Sequence, residues 1–111
     1  MKDNKVSVIY PAEFTMSFSL EGDCKHTLLE QIFEQWNAGS GRESDLFKNS
    51  KVRSLSVNDI VCINDEYFQC KSLGWQSVSK EYVEDLENKV KSHSDFDRYG
   101  AWFTLSRLSS I

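Results

Sequence analysis

Histidine is scarce in this sequence: only His26 and His93 stand among its 111 residues. Nucleophilic catalysis needs a base within hydrogen-bond reach of a serine or cysteine. Neither histidine lies in a glycine elbow or beside an apolar strand end. Cysteine is almost as rare. Cys24, Cys62 and Cys70 cannot all pair within one chain, and no CxxC occurs. Zinc ligands ordinarily come in pairs roughly two to four residues apart. Cys24-Lys25-His26 with Cys62 and Cys70 is a poor match to that spacing, and Cys62 and Cys70 read as small apolar packing residues. There is no phosphate loop, dinucleotide fingerprint or kinase motif. Pairs such as Asp59 with Asp65, or Glu43 with Asp45, read as turn and surface carboxylates. The expectation is a protein that is not an enzyme and holds no metal and no cofactor.

Long apolar runs are missing too. No stretch approaches the roughly 20 apolar residues of a membrane helix, and the opening MKDNKVSVIY lacks the apolar centre of a signal peptide. With an odd number of cysteines, this points to a reduced, cytoplasmic protein without a membrane segment. Charge of one sign is also in short supply. Thirteen basic residues stand against 17 acidic ones, a net −4, which disfavours nucleic acid but is too little to imitate the charge of DNA. The one locally basic stretch is 42–53, where Arg42, Lys48, Lys51 and Arg53 outnumber Glu43 and Asp45. Nucleic-acid binding would use those cations for phosphates and Trp36 or Trp75 for stacking. It is the alternative to a protein partner.

Aromatic residues, in contrast, are plentiful: seven Phe, four Tyr and three Trp. A chain of this size forms one compact domain, 1–111, with one core. Val6–Tyr10 is a short β-like run that Pro11 ends. Phe14, Met16, Phe18 and Leu20 alternate with Thr15, Ser17 and Ser19, the period of a half-buried strand. Leu28, Leu29, Ile32, Phe33 and Trp36 then share one helix face, predicting a helix over 27–37. Thr27 and Glu30 fit a capping box, and Asn37-Ala38-Gly39 a left-handed stop. Leu46 and Phe47 fit a short helical turn. Val57–Ile63 and Tyr67–Leu73 read as a hairpin around Asn64-Asp65-Glu66, with Gly74-Trp75 as a bulge before Val78. Ser79 caps a helix over 79–91 whose stripe is Tyr82, Val83, Leu86 and Val90. His93–Arg98 reads as a loop, and Tyr99–Leu105 as a last strand or a docked tail.

One region is more distinctive. LLEQIFEQWN at 28–37 is followed by RSLSVNDIV at 53–61, then Tyr67-Phe68, Ser72-Leu73-Gly74-Trp75 and Val78. This order resembles the YodL-like domain family over residues 28–78. Asn58 stands where related small proteins often have glycine. The resemblance implies a small accessory protein of plasmids, conjugative elements or phages. Some larger relatives are multidomain proteins suspected of countering host defence. Residues 1–27 and 79–111 lie outside the resemblance.

The expected architecture is α+β. A small, mostly antiparallel sheet contains the 57–63/67–73 hairpin, the 27–37 helix packs across one face and the 79–91 helix covers an end. The expected function is non-enzymatic binding of a protein partner. The candidate binding residues are Arg42, Glu43, Arg53 and Asp59, exposed around the Gly39–Gly41 loop, with Trp75 turned onto the core or a surface groove. Asp59 either accepts backbone amides at the strand entrance or pairs with Arg53. Trp102 and Phe103 either form a homodimer contact or close the core.

Overall fold

A computed structural model describes residues 2–109. The chain is α+β. A five-stranded antiparallel sheet runs in the order β2-β1-β3-β4-β5. Its strands are β1 Asp3–Tyr10, β2 Phe14–Glu21, β3 Ile60–Ile63, β4 Glu66–Lys71 and β5 Gly74–Val78. The helices are α1 Lys25–Gln35, α2 Asp45–Ser50, α3 Lys80–Ser92, α4 Phe96–Tyr99 and α5 Ala101–Ser109.

Strand alternation sorts the apolar residues to two faces. Val6, Val8, Tyr10, Val61 and Ile63 point to one face, where Leu28, Leu29 and Ile32 of α1, Trp36 just after it and Phe47 of α2 complete the main core. Phe14, Met16, Phe18 and Leu20 border the same cluster, so the period-two reading of β2 holds. Ile9, Ile60 and Cys62 point to the opposite face and meet Val83 of α3. The 79–91 helix therefore covers this second face rather than an end of the sheet. Leu86 and Val90, further along α3, pack against Leu105 of α5.

The hairpin forms as expected around Asn64 and Asp65, both with positive φ (48° and 69°). Its first strand is shorter than the sequence suggests. Asn58 adopts φ +81°. Its amide donates to Cys70 O (2.8 Å), while the Cys70 amide donates to Asp59 O (2.9 Å). Two residues thus oppose one, a bulge that delays β3 to Ile60. Val57 lies before the bulge and is exposed rather than part of a buried strand.

Other boundaries shift for local reasons. The 27–37 helix begins at Lys25, with Cys24 in the cap position, so Thr27 lies inside the helix and forms no capping box. Gly74 has φ +85°, but it closes a turn at Ser72-Leu73 and starts β5 instead of bulging one strand. Ser79 caps α3 as expected, its Oγ accepting from the Tyr82 amide (3.0 Å). Ser44 does the same for α2 (3.1 Å from the Phe47 amide). The polar segment after His93 contains the short helix α4. The last segment is a helix, α5, and not a strand. Its Ala101, Leu105 and Leu108 dock on α3 while Trp102 and Phe103 stay outside. Sheet-packed helices therefore include α1 and α3 as expected, and α5 adds a third long element on α3. Two expected core aromatics, Phe33 and Tyr82, are exposed, whereas Tyr10 is wholly buried.

Candidate functional site

The RSLSVND segment is a folded loop stitched to its surroundings. The Leu55 amide donates to Trp36 O (2.9 Å), and Asn37 Nδ2 donates to Leu55 O (3.1 Å). The Ala38 amide donates to Ser54 Oγ (2.9 Å). These bonds satisfy carbonyls and amides at the end of α1, where the helix has no further intrahelical partners.

Inside this loop Arg53 and Asp59 form a two-pronged pair. Nη1 donates to Asp59 Oδ2 (2.6 Å) and Nη2 to Oδ1 (2.9 Å). The Asp59 carboxylate is fully buried and also accepts from the Ser56 amide (2.8 Å) and the Ser56 hydroxyl (3.3 Å). Both sequence-based alternatives for Asp59, amide acceptor and partner of Arg53, occur together. Charge-assisted bonds of this planar kind fix both side chains in one orientation. Arg53 Nε donates to Glu13 Oε1 (3.3 Å), from the turn between β1 and β2.

Aromatic rings close the clamp. The guanidinium lies 4.6 Å from the centre of the Tyr10 ring and 5.7 Å from that of Trp102. Tyr10 Oη donates to Arg53 O (2.8 Å). Burial, followed by the Asp59 charge, pushes the Tyr10 phenol well above the ordinary tyrosine range. Burial alone would lower the Arg53 pKa, but the Asp59 hydrogen bonds and charge more than offset it and hold the guanidinium in its charged form. Arg53 is only 22% exposed and Asp59 not at all. The expectation that both are exposed members of a site is therefore corrected: they form the buried base on which the neighbouring surface rests.

That surface lies on α4 and α5. Trp102 is 50% exposed, Tyr99 53% and Phe103 39%. Tyr99 and Phe103 rings meet at 4.8 Å, and Arg107 lies 5.8 Å from the Phe103 ring. Arg107 is itself bonded to Asp95 (3.3 Å). Sequence reasoning missed Tyr10, Glu13 and Tyr99 as contributors. Tyr10 looked like a strand end and Glu13 like a turn residue. The tail left one signal: Tyr99, Trp102 and Phe103 recur at three- and one-residue steps, with Leu105 and Leu108 at other positions of the helical period.

The remaining candidates lie in two other places. Arg42 is exposed and bonded to Glu34 (3.3 Å). Glu43 ties the Gly39–Gly41 loop together, accepting from the Gly39 amide (3.1 Å) and Ser40 Oγ (3.4 Å). Its carboxyl is held below its ordinary range by its own backbone amide and by that of Gly39. Trp75 sits on β5, its ring edge-on to Phe33 at 6.2 Å. Beside it Leu73, 96% exposed, Phe68 and Leu29 line a hollow of about 450 Å³. The contacts of Arg42, Glu43 and Trp75 are with Glu34, the Gly39–Gly41 loop and Phe33, away from the Arg53–Asp59 clamp.

The cysteines and histidines are dispersed. Cys24 is exposed before α1, while Cys62 and Cys70 are buried. Cys62 faces α3 and Cys70, opposite Trp75, faces the α1 side. His26 pairs with Glu30 on α1, and His93 with Asp95 beyond α3. Among the described residues no group of three or more metal-binding side chains comes together. No described helix is long and apolar enough to cross a membrane. No family model matches the chain, and no curated protein or solved structure matches it.

Proposed function

We propose that this chain is a non-enzymatic, cytoplasmic accessory protein of a mobile genetic element that binds another protein through the aromatic face of α4 and α5. The carrying observation is the exposure of Tyr99, Trp102 and Phe103 beside a rigid arginine clamp. Exposed aromatics clustered on a fixed support are the usual anchors of protein interfaces, and arginine is enriched with them. The YodL-like resemblance supplies the mobile-element setting, with counter-defence as the process it suggests.

Nucleic acid is less well supported. In the basic stretch Arg42 pairs with Glu34, Lys48 with Asp45 and Arg53 with Asp59. Paired cations release few counterions on meeting phosphate. A photocrosslinking phenylalanine analogue at position 103, in living source cells, tests the proposal. The expected result is one discrete protein adduct, absent when the same group replaces Lys48. A nucleic-acid adduct, or no protein adduct from position 103, contradicts it.

A further inference from the structure

A hollow of about 300 Å³ lies where the bulge between β3 and β4 meets α3. Asn58 and Lys71 line its sheet wall, and Tyr82, Asp85 and Lys89 line its helix wall. The three helix residues stand at i, i+3 and i+7, on one face of α3. Leu86 of α3 and Leu108 of α5 supply an apolar lining.

Asn58 is the unusual member. It is only 9% exposed. Its backbone is fully engaged: the amide donates to Cys70 O (2.8 Å), and the carbonyl accepts from Gln69 Nε2 (3.2 Å). Its carboxamide has no hydrogen-bond partner among the described residues. Buried polar side chains are ordinarily paired, and an unpaired one calls for an explanation. The backbone does not supply it, because φ +81° suits glycine at least as well as asparagine. The carboxamide is therefore left over for a ligand in the hollow.

The polar groups on the two walls differ in what they can offer. Lys71 follows Cys70, the residue opposite the bulge, and has no carboxylate partner among the described residues. The sheet wall thus presents one positive charge and the amide protons of Asn58. On the helix side, Gln69 Nε2 is engaged with Asn58 O, so Gln69 Oε1 accepts the Tyr82 hydroxyl proton (2.9 Å). The Tyr82 oxygen keeps only lone pairs. Lys89 pairs with Asp85 Oδ2 (2.9 Å), which leaves Oδ1 able to accept. Donors and a cation on one wall face acceptors on the other.

We propose that this hollow binds a small zwitterion of the free α-amino-acid class. The carboxylate of the ligand takes Lys71 and the Asn58 carboxamide. Its ammonium donates to the Tyr82 oxygen and to Asp85, and an aliphatic side chain lies on Leu86 and Leu108. The hollow stands at the low end of small-molecule sites, roughly 300–1,000 Å³, which suits a compact metabolite. Tyr99, Trp102 and Phe103 take no part in it. The amino-acid site and the protein-binding face can therefore fail separately.

Two-dimensional NMR of the full chain, titrated with L-leucine, tests the proposal. Saturable shifts are expected at Asn58, Lys71 and the Tyr82–Lys89 stretch, with a dissociation constant on the order of 1 mM. N-acetylated leucine lacks the ammonium and leucine amide lacks the carboxylate. Each is expected to bind about tenfold more weakly, because one charged hydrogen-bonding group is missing. Asn58→Gly keeps the left-handed backbone and removes the carboxamide, and Lys71→Gln removes the charge. Either variant is expected to weaken leucine binding about tenfold. The second keeps the test valid should the first fold badly. Absence of saturable shifts with leucine overturns the proposal. So does equal binding of either analogue, undiminished binding by a folded variant, or leucine shifts confined to other residues.

Discussion

Asp59 is the residue on which the candidate surface depends. Removing one member of a buried ion pair leaves the other charge without its partner, which costs more than the pair itself contributes. Asp59→Ala is expected to destabilise the fold by about 3 kcal/mol, measured by urea unfolding. Replacing Arg53 with leucine in the same chain should restore part of that loss. Equal instability of the single and double variants would show that the two residues do not act as a pair. Tyr10 adds a pH dependence. Its folded phenol titrates above the ordinary value, so its contribution is complete below about pH 10 and is lost as pH rises toward the folded pKa. The stability difference between the native chain and Tyr10→Phe should shrink above about pH 10, at up to ~1.4 kcal/mol per pH unit. A constant difference would place the phenol in an ordinary environment. Arg53 and Asp59 were legible from their spacing around a strand entrance. The shielding of Arg53 was not, because the groups around it, Tyr10, Glu13 and Trp102, are distant in sequence.

At the scale of elements, periodicity carried most of the information. The alternation in β2 and the stripe in α3 were visible because each element buries one face. The start of β3 was hidden because Asn58 makes a bulge that no apolar pattern reports. Its φ of +81° is strained for most side chains and natural for glycine. Asn58→Gly should leave stability within about 0.5 kcal/mol, while Asn58→Ala should cost about 1 kcal/mol in thermal or urea unfolding. Equal effects would mean that the left-handed backbone is not what constrains this position. The final helix was misjudged for a related reason. Tyr99–Leu105 is rich in aromatic residues, which favour strands, but Ala101, Leu105 and Leu108 join an apolar cluster with Leu86 and Val90 of α3, a tertiary contact that no local pattern reports.

For the molecule as a whole, the fold divides its aromatics between structure and surface. Trp36 and Phe47 lie in the main core, whereas Tyr99, Trp102 and Phe103 are held outside it by the docking of α5. Leu105→Ala should cost about 2–4 kcal/mol and loosen this face as well. A loss confined to the α5 region in hydrogen exchange would show that the helix can detach without global unfolding. The central claim concerns the outer side of that helix. Trp102→Ser with Phe103→Ser leaves Thr104, Leu105 and Leu108 in place. The most direct measurement is quantitative partner capture from source-cell lysate, comparing this variant with the native chain at matched folding. At least a tenfold drop in a specific protein partner is expected, equivalent to about 1.4 kcal/mol of binding. Capture of the same partner in undiminished amount by the folded variant would contradict the account.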